Sequence, residues 1–236
     1  MKLLALDTAS AQCSVALLID HELLIRELPT ARDHAQLILP MIDSVLAEAG
    51  LTLRQLQGIA FGRGPGSFTG VRVAAAVTQG LAAGADLPVL PVSDLRALGQ
   101  QALRRMRTAG HESPAGSVLA CMDARMGEVY WAAYATHAGQ LGASLTAECV
   151  APAVDLVAQC PQPCVAASGR GLGAWPQIAA LLQIAAATQF ADAEPHAQDV
   201  ARLAVADLAA GAAWLDAAQA QPVYVRNQVA TAKTQG

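Results

Sequence analysis

The chain has 236 residues, of which 54% are hydrophobic and only 14% are charged, and its formal net charge is −4. This length suffices for one large domain or two small ones with a sizeable core. The acidic balance excludes the basic footprint expected of a protein that binds nucleic acid mainly through its own surface. The high apolar content favours a surface covered by a partner, although an alanine-rich composition would also produce it.

The compartment is indicated by the N-terminus and the cysteines. Asp7 interrupts the first apolar run before the core of a signal peptide can form. The five cysteines are an odd number, which fits a reducing cytoplasm, and Cys160 and Cys164 lack the spacing of a zinc or redox motif. No uncharged apolar run approaches the length of about 18 residues that a membrane span needs. We therefore expect a cytoplasmic protein with no membrane contact.

The first half of the chain predicts a meander of three strands, followed by alternating helices and strands. Asp33 is a plausible N-cap for the first helix and Gly50 its stop, while Pro40 should kink the helix or loosen its first turn. The predicted strands lie at 3–6, 14–19, 23–28, 58–61 and 87–92, and the predicted helices at 33–49, 71–83 and 94–107.

The second half predicts a smaller lobe that also begins with a meander. Its strands are expected at 118–122, 128–136 and 145–150. The polar stretch 108–116 marks the boundary, so that residues 1–108 form the first lobe and 116–195 the second. A helix at about 196–211 is expected to complete the first lobe, and residues 212–236 to form a C-terminal tail.

A glycine-rich motif, Gly62 to Arg72, lies between the predicted strand at 58–61 and the helix that follows. Such a turn before a helix can bind an anion with its backbone amides. The alternative is a tight turn whose glycines only allow the strand and the helix to pack. The motif matches neither common nucleotide-loop pattern, and both interpretations stay open. The residues of the candidate anion or nucleotide loop are Gly64, Gly66, Ser67, Thr69 and Arg72.

As a whole string, Gly-Pro-Gly-Ser-Phe-Thr-Gly-Val-Arg at 64–72 resembles the signature of the TsaB (YeaZ) family. Segments 6–9, 34–43, 123–130 and 222–226 match the same family in the expected order. The resemblance covers nearly the whole chain. It implies a two-lobed α/β fold of the actin-like ATPase (ASKHA) type, in which each lobe is a mixed sheet that starts with a three-stranded meander and is flanked by helices.

The resemblance also implies a function. Members of this family are non-catalytic partners of TsaD, which forms threonylcarbamoyladenosine at the adenosine next to the anticodon, in tRNAs reading codons that begin with A. The implied partners are TsaD and the ATPase TsaE, with a homodimer as a further state and tRNA reached mainly through the complex. No cofactor is predicted on this chain itself, although ATP or ADP could bind at the complex interface.

Catalytic alternatives are weaker on the sequence. An ATP-dependent phosphotransferase of the actin-like fold would normally carry a glycine directly after Asp7, where this chain has Thr8. A metallopeptidase would need a metal pair, and none of the five histidines lies four residues from another. We predict no catalytic or metal-binding residues. Asp7, Asp123 and Glu128 are interpreted as turn formers, whereas Arg72 and Arg125 either bind an anion or a partner's carboxylate, or only brace loops.

The partner interface is predicted on the helices at 33–49 and 71–83, which both carry apolar residues on more than one side. In the resembled family this helix pair meets TsaD and can also pair with itself. The predicted contact residues are His34, Ile38, Met41, Ile42, Val45, Val71, Val73 and Val77.

Overall fold

The computed structural model describes residues 1–30 and 32–225, so the end of the predicted tail, 226–236, lies outside the described residues. Within that part of the chain, no helix is both long and apolar enough to cross a bilayer. The strands are β1 (Lys2–Asp7), β2 (Gln12–Ile19), β3 (Glu22–Pro29), β4 (Gly58–Gly62), β5 (Val89–Val92), β6 (Gly116–Arg125), β7 (Glu128–His137), β8 (Gln140–Ser144), β9 (Cys149–Pro152), β10 (Cys164–Ser168) and β11 (Gln189–Phe190). The helices are α1 (His34–Ala49), α2 (Phe68–Ala85), α3 (Asp94–Thr108), α4 (Ala153–Gln159), α5 (Arg170–Ala174), α6 (Gln177–Leu181) and α7 (Ala197–Ala209).

The first sheet has the strand order β3-β2-β1-β4-β5. The meander β1–β3 is antiparallel, whereas β1, β4 and β5 run parallel to one another. Leu3 to Leu6 of β1 are all fully buried because helices cover both faces of the sheet. Leu4 and Leu6 pack with α1 and α2, while Leu3 and Ala5 pack with α7. The predicted elements of this half are confirmed.

The second sheet has the order β11-β10-β6-β7-β8, with β9 also paired to β7. The second meander is confirmed, but the strand expected at 145–150 is wrong. β8 and β9 pair with different parts of β7, and residues 145–148 bridge them outside the ladder. The amide of Ala133 on β7 donates to the Thr146 hydroxyl (3.0 Å), so a side chain replaces a backbone acceptor where the chain leaves β8.

Two helices lie between the sheets. α7 packs on β1, β2 and β4, as expected for a helix that completes the first lobe. α3 packs instead on β6, β7 and β10, with Leu98 and Met106 in the core of the second sheet. The chain up to residue 108 is therefore not self-contained, because the apolar face of its last helix is buried by the other lobe. The predicted bounds of the second lobe, 116–195, and of the tail, 212–236, remain proposals.

α1 begins and ends close to the predicted residues. Asp33 precedes it, but its side chain makes no capping hydrogen bond. The helix continues through Pro40 to Ala49 and ends at Gly50, which adopts the left-handed conformation (φ 63°) that glycine tolerates best. Six side chains of α1, about one helical turn apart, are buried against the first sheet. Helix α1 therefore lies next to α2 on the same face of that sheet.

Candidate functional site

The glycine-rich motif is held against the turn that follows β1. The Ser67 amide donates to the Ala9 carbonyl (2.7 Å), and the Thr8 hydroxyl donates to the Gly70 carbonyl (2.7 Å). A Cβ atom on Gly66 would overlap the backbone of Ala9, and one on Gly70 would overlap that of Thr8. The glycines at these two positions are therefore required by the close approach of two loops.

Three amides of the motif already have acceptors within the chain. The Gly64 amide donates to an Asp94 carboxylate oxygen, and the Ser67 amide to Ala9. The Gly70 amide donates to the Ser67 hydroxyl (3.4 Å), so Ser67 is the N-cap of α2 and the helix begins at Phe68, three residues before the predicted Val71. These contacts favour the packing turn over the anion or nucleotide loop.

The C-terminal segment runs back over the motif. The Val223 amide donates to the Arg63 carbonyl (2.7 Å). Gly64 has a positive φ of 103°, and a Cβ atom there would lie 2.8 Å from the Val223 carbonyl oxygen. Residues 222–224 therefore cover one side of the motif, although they are distant from it in the sequence.

Two arginines that could bind an anion make intramolecular contacts instead. Arg72 donates through Nε to the Tyr224 hydroxyl (2.7 Å), and its guanidinium lies 3.5 Å from the centre of the Phe68 ring. Arg125 pairs with Asp123 (3.3 Å), whose carboxylate also accepts from the Arg125 amide (2.8 Å). Both sets of contacts favour the bracing role. Thr69, the remaining member of the candidate loop, is exposed at the start of α2.

His34 lies inside the protein at the start of α1, with 4% of its surface exposed. Its imidazole ring is within hydrogen-bonding reach of the Ser10 backbone, whereas Nδ1 has no hydrogen-bond partner among the described residues. Burial lowers the pKa of His34 below the ordinary value, against the opposing effect of the Asp7 carboxylate. The residue thus joins α1 to the turn after β1 and is inaccessible to a partner in this conformation.

Most of the predicted interface residues face the chain's own core. Val73 and Val77 are partly exposed on α2. The residues with at most 6% exposure are His34, Ile38, Met41, Ile42, Val45 and Val71. The wide apolar face of α1 packs on the first sheet and leaves an outer face that is largely polar, with Leu39 (44% exposed) as an exception. Any contact surface on these helices must therefore lie elsewhere on them.

The outer face of α2 is different, because small side chains follow one another along it at helical spacing. Thr69, Ala76, Gly80, Ala83 and Gly84 are exposed. A Cβ atom on Gly80 or Gly84 would meet no atom within 4 Å. Next to these glycines, a largely apolar cavity of about 530 Å³ lies between α2 and the turn at 52–54. Helix axes can approach closely over such a face.

Titratable clusters give little sign of catalysis. Within residues 1–30 and 32–225, no group of three or more His, Cys, Asp or Glu side chains could hold a metal ion. All five cysteines are free, and burial raises the pKa of Cys121 to about 12 and that of Cys13 to about 11. These two thiols therefore stay protonated and unreactive at neutral pH. Asp94 is predicted from the sequence only as a residue that starts a helix; its burial and its contact with the Gly64 amide depend on the tertiary structure.

Comparison with known proteins shows the family of the chain. A family model described as "TsaD: tRNA N6-adenosine threonylcarbamoyltransferase" matches residues 28–233. The tRNA threonylcarbamoyladenosine biosynthesis protein TsaB of Escherichia coli is 38% identical over 245 aligned residues, which cover 100% of this chain and 99% of that protein. The chain belongs to the TsaB (YeaZ) family. TsaB of Haemophilus influenzae is 54% identical over 132 residues, or 56% of this chain and 52% of that protein.

Solved structures of the TsaB family show the same fold. YeaZ from Pseudomonas aeruginosa superposes with a TM-score of 0.77 at 40% identity, covering 94% of this chain and 99% of that one. A second Pseudomonas aeruginosa structure, described as similar to peptidase YeaZ, has a TM-score of 0.80 at 40% identity and covers 95% and 99% of the two chains. The predicted two-lobed α/β actin-like fold is confirmed.

Proposed function

We propose that this protein is a non-catalytic subunit that supports a TsaD-type enzyme in forming threonylcarbamoyladenosine in tRNA, at the adenosine next to the anticodon. The observation that carries the proposal is the match along the whole chain to a protein named for the biosynthesis of this nucleoside. The occupied amides of the glycine-rich motif support a structural role for that motif rather than a phosphate-transferring one.

TsaD is the proposed partner, and the outer face of α2 is the proposed contact surface. Thr69, Val73, Ala76, Val77 and Gly80 present small or β-branched side chains there, so a partner helix can pack closely against α2. The adjacent cavity at Gly80 and Gly84 has room for an apolar side chain of that helix. A second copy of the chain would compete for the same face as a homodimer.

The remaining partners follow from the same complex. TsaE binds to the assembled pair, and ATP or ADP binds at the complex interface rather than on this chain alone. The net charge of −4 supports tRNA contacts that come mainly from the partner subunits. The cytoplasm, where tRNA is modified, is the proposed location.

The experiment is reconstitution with purified TsaD and TsaE of the same organism, tRNA and an enzyme that supplies threonylcarbamoyl-adenylate. We expect modified nucleoside with the full set and a large loss when this chain is omitted. The chain with the adenylate and tRNA, but without TsaD, should give none. Modification by the chain alone, or undiminished modification without it, would overturn the proposal.

The phosphotransferase alternative is tested with the same protein preparation. Asp7, the carboxylate that would meet the metal and phosphates in an actin-like enzyme, is fully buried, and one of its oxygens accepts from the Ala9 amide (3.0 Å). This arrangement weighs against nucleotide chemistry on the isolated chain. Transfer or hydrolysis of the γ-phosphate of ATP by the purified chain, lost in Asp7→Asn, would favour the alternative.

A further inference from the structure

A second cavity, of about 300 Å³, lies on the side of Arg63 where the end of β5 and the start of α3 meet the second sheet. It is separate from the face of α2, and the proposed function leaves it without a role. Its size is at the lower limit of cavities that hold small ligands. Polar side chains from both sheets line it, namely Arg63, Ser93, Arg96, Tyr134, Ser144 and Glu148.

The Tyr134 hydroxyl, which lines this cavity, forms no hydrogen bond of standard geometry. The residue is 2% exposed, and its oxygen completes no hydrogen bond of standard geometry, although Ser93 is its neighbour. Burial first, and then the Glu148 carboxylate, raise the pKa of Tyr134, so the hydroxyl keeps its proton at neutral pH. The Ser93 side chain is within hydrogen-bonding reach of the Tyr134 oxygen, but the Tyr134 proton has no acceptor of standard geometry, and an anion in the cavity would accept it.

Two guanidinium groups in the same wall use only part of their donors. Arg63 donates through Nη2 to both oxygens of Glu148 (2.9 and 3.1 Å), and Arg96 donates through Nη1 to Asp207 (2.6 Å). The other N–H groups of both guanidiniums donate to no acceptor among residues 1–30 and 32–225. Glu148 and Asp207 balance the charges of the two arginines, so the cavity offers spare guanidinium N–H donors rather than a net positive charge.

We propose that this cavity binds a small organic anion, a carboxylate or a phosphate monoester, through the free guanidinium donors of Arg63 and Arg96 and the hydroxyl of Tyr134. Fixed guanidinium forks are suited to both anions. Arg63 follows β4 of the first sheet, whereas Tyr134 belongs to β7 of the second. A bound anion would therefore connect the two sheets and stabilise their present arrangement.

Calorimetric titration of the full chain with glycerol phosphate, inorganic phosphate and succinate, at constant ionic strength with chloride as reference, tests the proposal. Phosphate esters and carboxylates are thereby distinguished as sources of the anion. We expect one of them to bind with a Kd of about 1 mM or below, and to raise the melting temperature of the protein.

Tyr134→Phe is the informative variant, because it removes only an oxygen that has no standard hydrogen bond in the free protein. We expect the free variant to be as stable as the wild type, and its affinity for the anion to be about tenfold lower. Arg63→Gln should weaken binding further. Tyr130→Phe on the same strand and Arg105→Gln on α3 are matched controls outside the lining and should bind like the wild type.

No binding of any of the three anions above chloride, or equal affinity in the wild type and in both Tyr134→Phe and Arg63→Gln, would overturn the proposal. Loss of affinity in the two control variants as well would also overturn it, because the anion would then bind by general surface charge.

Discussion

Asp7 and Asp94 face each other across Gly62 in the interior of the protein. Both side chains are fully buried, and a Cβ atom on Gly62 would collide with an oxygen of each. The other oxygen of each carboxylate accepts from a backbone amide, of Ala9 and Gly64 respectively. The two facing oxygens have no donor among the described residues. Burial and the facing Asp7 carboxylate raise the pKa of Asp94 and so favour its protonated form, whose hydroxyl can donate to Asp7 and place one proton between the two groups.

The shared proton predicts a pH dependence of stability. Burial, and next the Asp7 carboxylate, raise the pKa of Asp94 well above its usual range. The folded state then keeps a proton that the unfolded state loses above its ordinary pKa of about 4. The stabilisation is fully present below that pKa and is lost as the pH rises through the folded pKa. Within this window the free energy of unfolding should fall by about 1.4 kcal/mol per pH unit.

Asp94→Asn isolates this effect, because the amide can donate to Asp7 and still accept from Gly64 without titrating. We expect the difference in unfolding free energy, variant minus wild type, to increase as the pH rises from about 4, the ordinary pKa of an aspartate, towards the raised pKa of the folded state. Urea denaturation at each pH measures it. A difference that is constant over this range would show that the two carboxylates do not share a proton.

Gly66→Val should destabilise the protein by at least about 2 kcal/mol, because the new side chain would overlap the backbone of Ala9. The reason is close approach rather than backbone conformation, since the positive φ in this loop is at Gly64. Gly84→Ala is the matched control. It places a methyl group in open space on α2 and should stabilise the helix by about 0.5–1 kcal/mol. Thermal and urea unfolding compare the two, and equal stability of Gly66→Val and wild type would contradict the packing-turn interpretation.

Ala76→Arg tests the proposed contact surface on α2. The residue is exposed halfway along the outer face, so the folded monomer should melt like the wild type while binding to TsaD is lost. Ala206→Arg, at an exposed position of α7, should bind normally. Val45→Glu, in contrast, places a charge at a position with 0% exposure and should unfold the chain. Size-exclusion chromatography of each variant with TsaD measures binding, and intact complex formation by Ala76→Arg would move the interface to another surface.

The ion pair between Arg104 of α3 and Asp199 of α7 joins the two helices between the sheets. It is bidentate, at 2.9 and 2.8 Å, and the Asp199 side chain is fully buried. Asp199→Ala should reduce stability by about 3 kcal/mol, since it leaves a partly buried arginine without its partner. Asp192→Ala removes the exposed partner of the neighbouring Arg105 and should cost less than about 1 kcal/mol. Urea unfolding of both variants measures the losses of stability. Equal losses would show that burial of an ion pair does not determine how much it contributes to stability.

Local sequence patterns were sufficient for much of the fold. The apolar run Leu3–Leu6 predicts a strand, and Gly50 predicts the end of α1, because both signals depend on residues that are neighbours in the chain. The failures have non-local causes. The strand expected at 145–150 was wrong, since residues 145–148 lie outside the ladder and only Cys149 and Val150 pair with β7, as part of β9.

By itself, the sequence determined the family, the alternation of strands and helices, and the position of the glycine-rich motif. Only the tertiary structure decided which side of α1 faces outward, that His34 and Val45 are inaccessible, and that three of the motif amides already have acceptors. It also brought Asp7 to Asp94, and Arg63 to Tyr134, across long stretches of chain. The physical reason is that periodicity specifies which residues share a face, whereas burial depends on what another element places against that face.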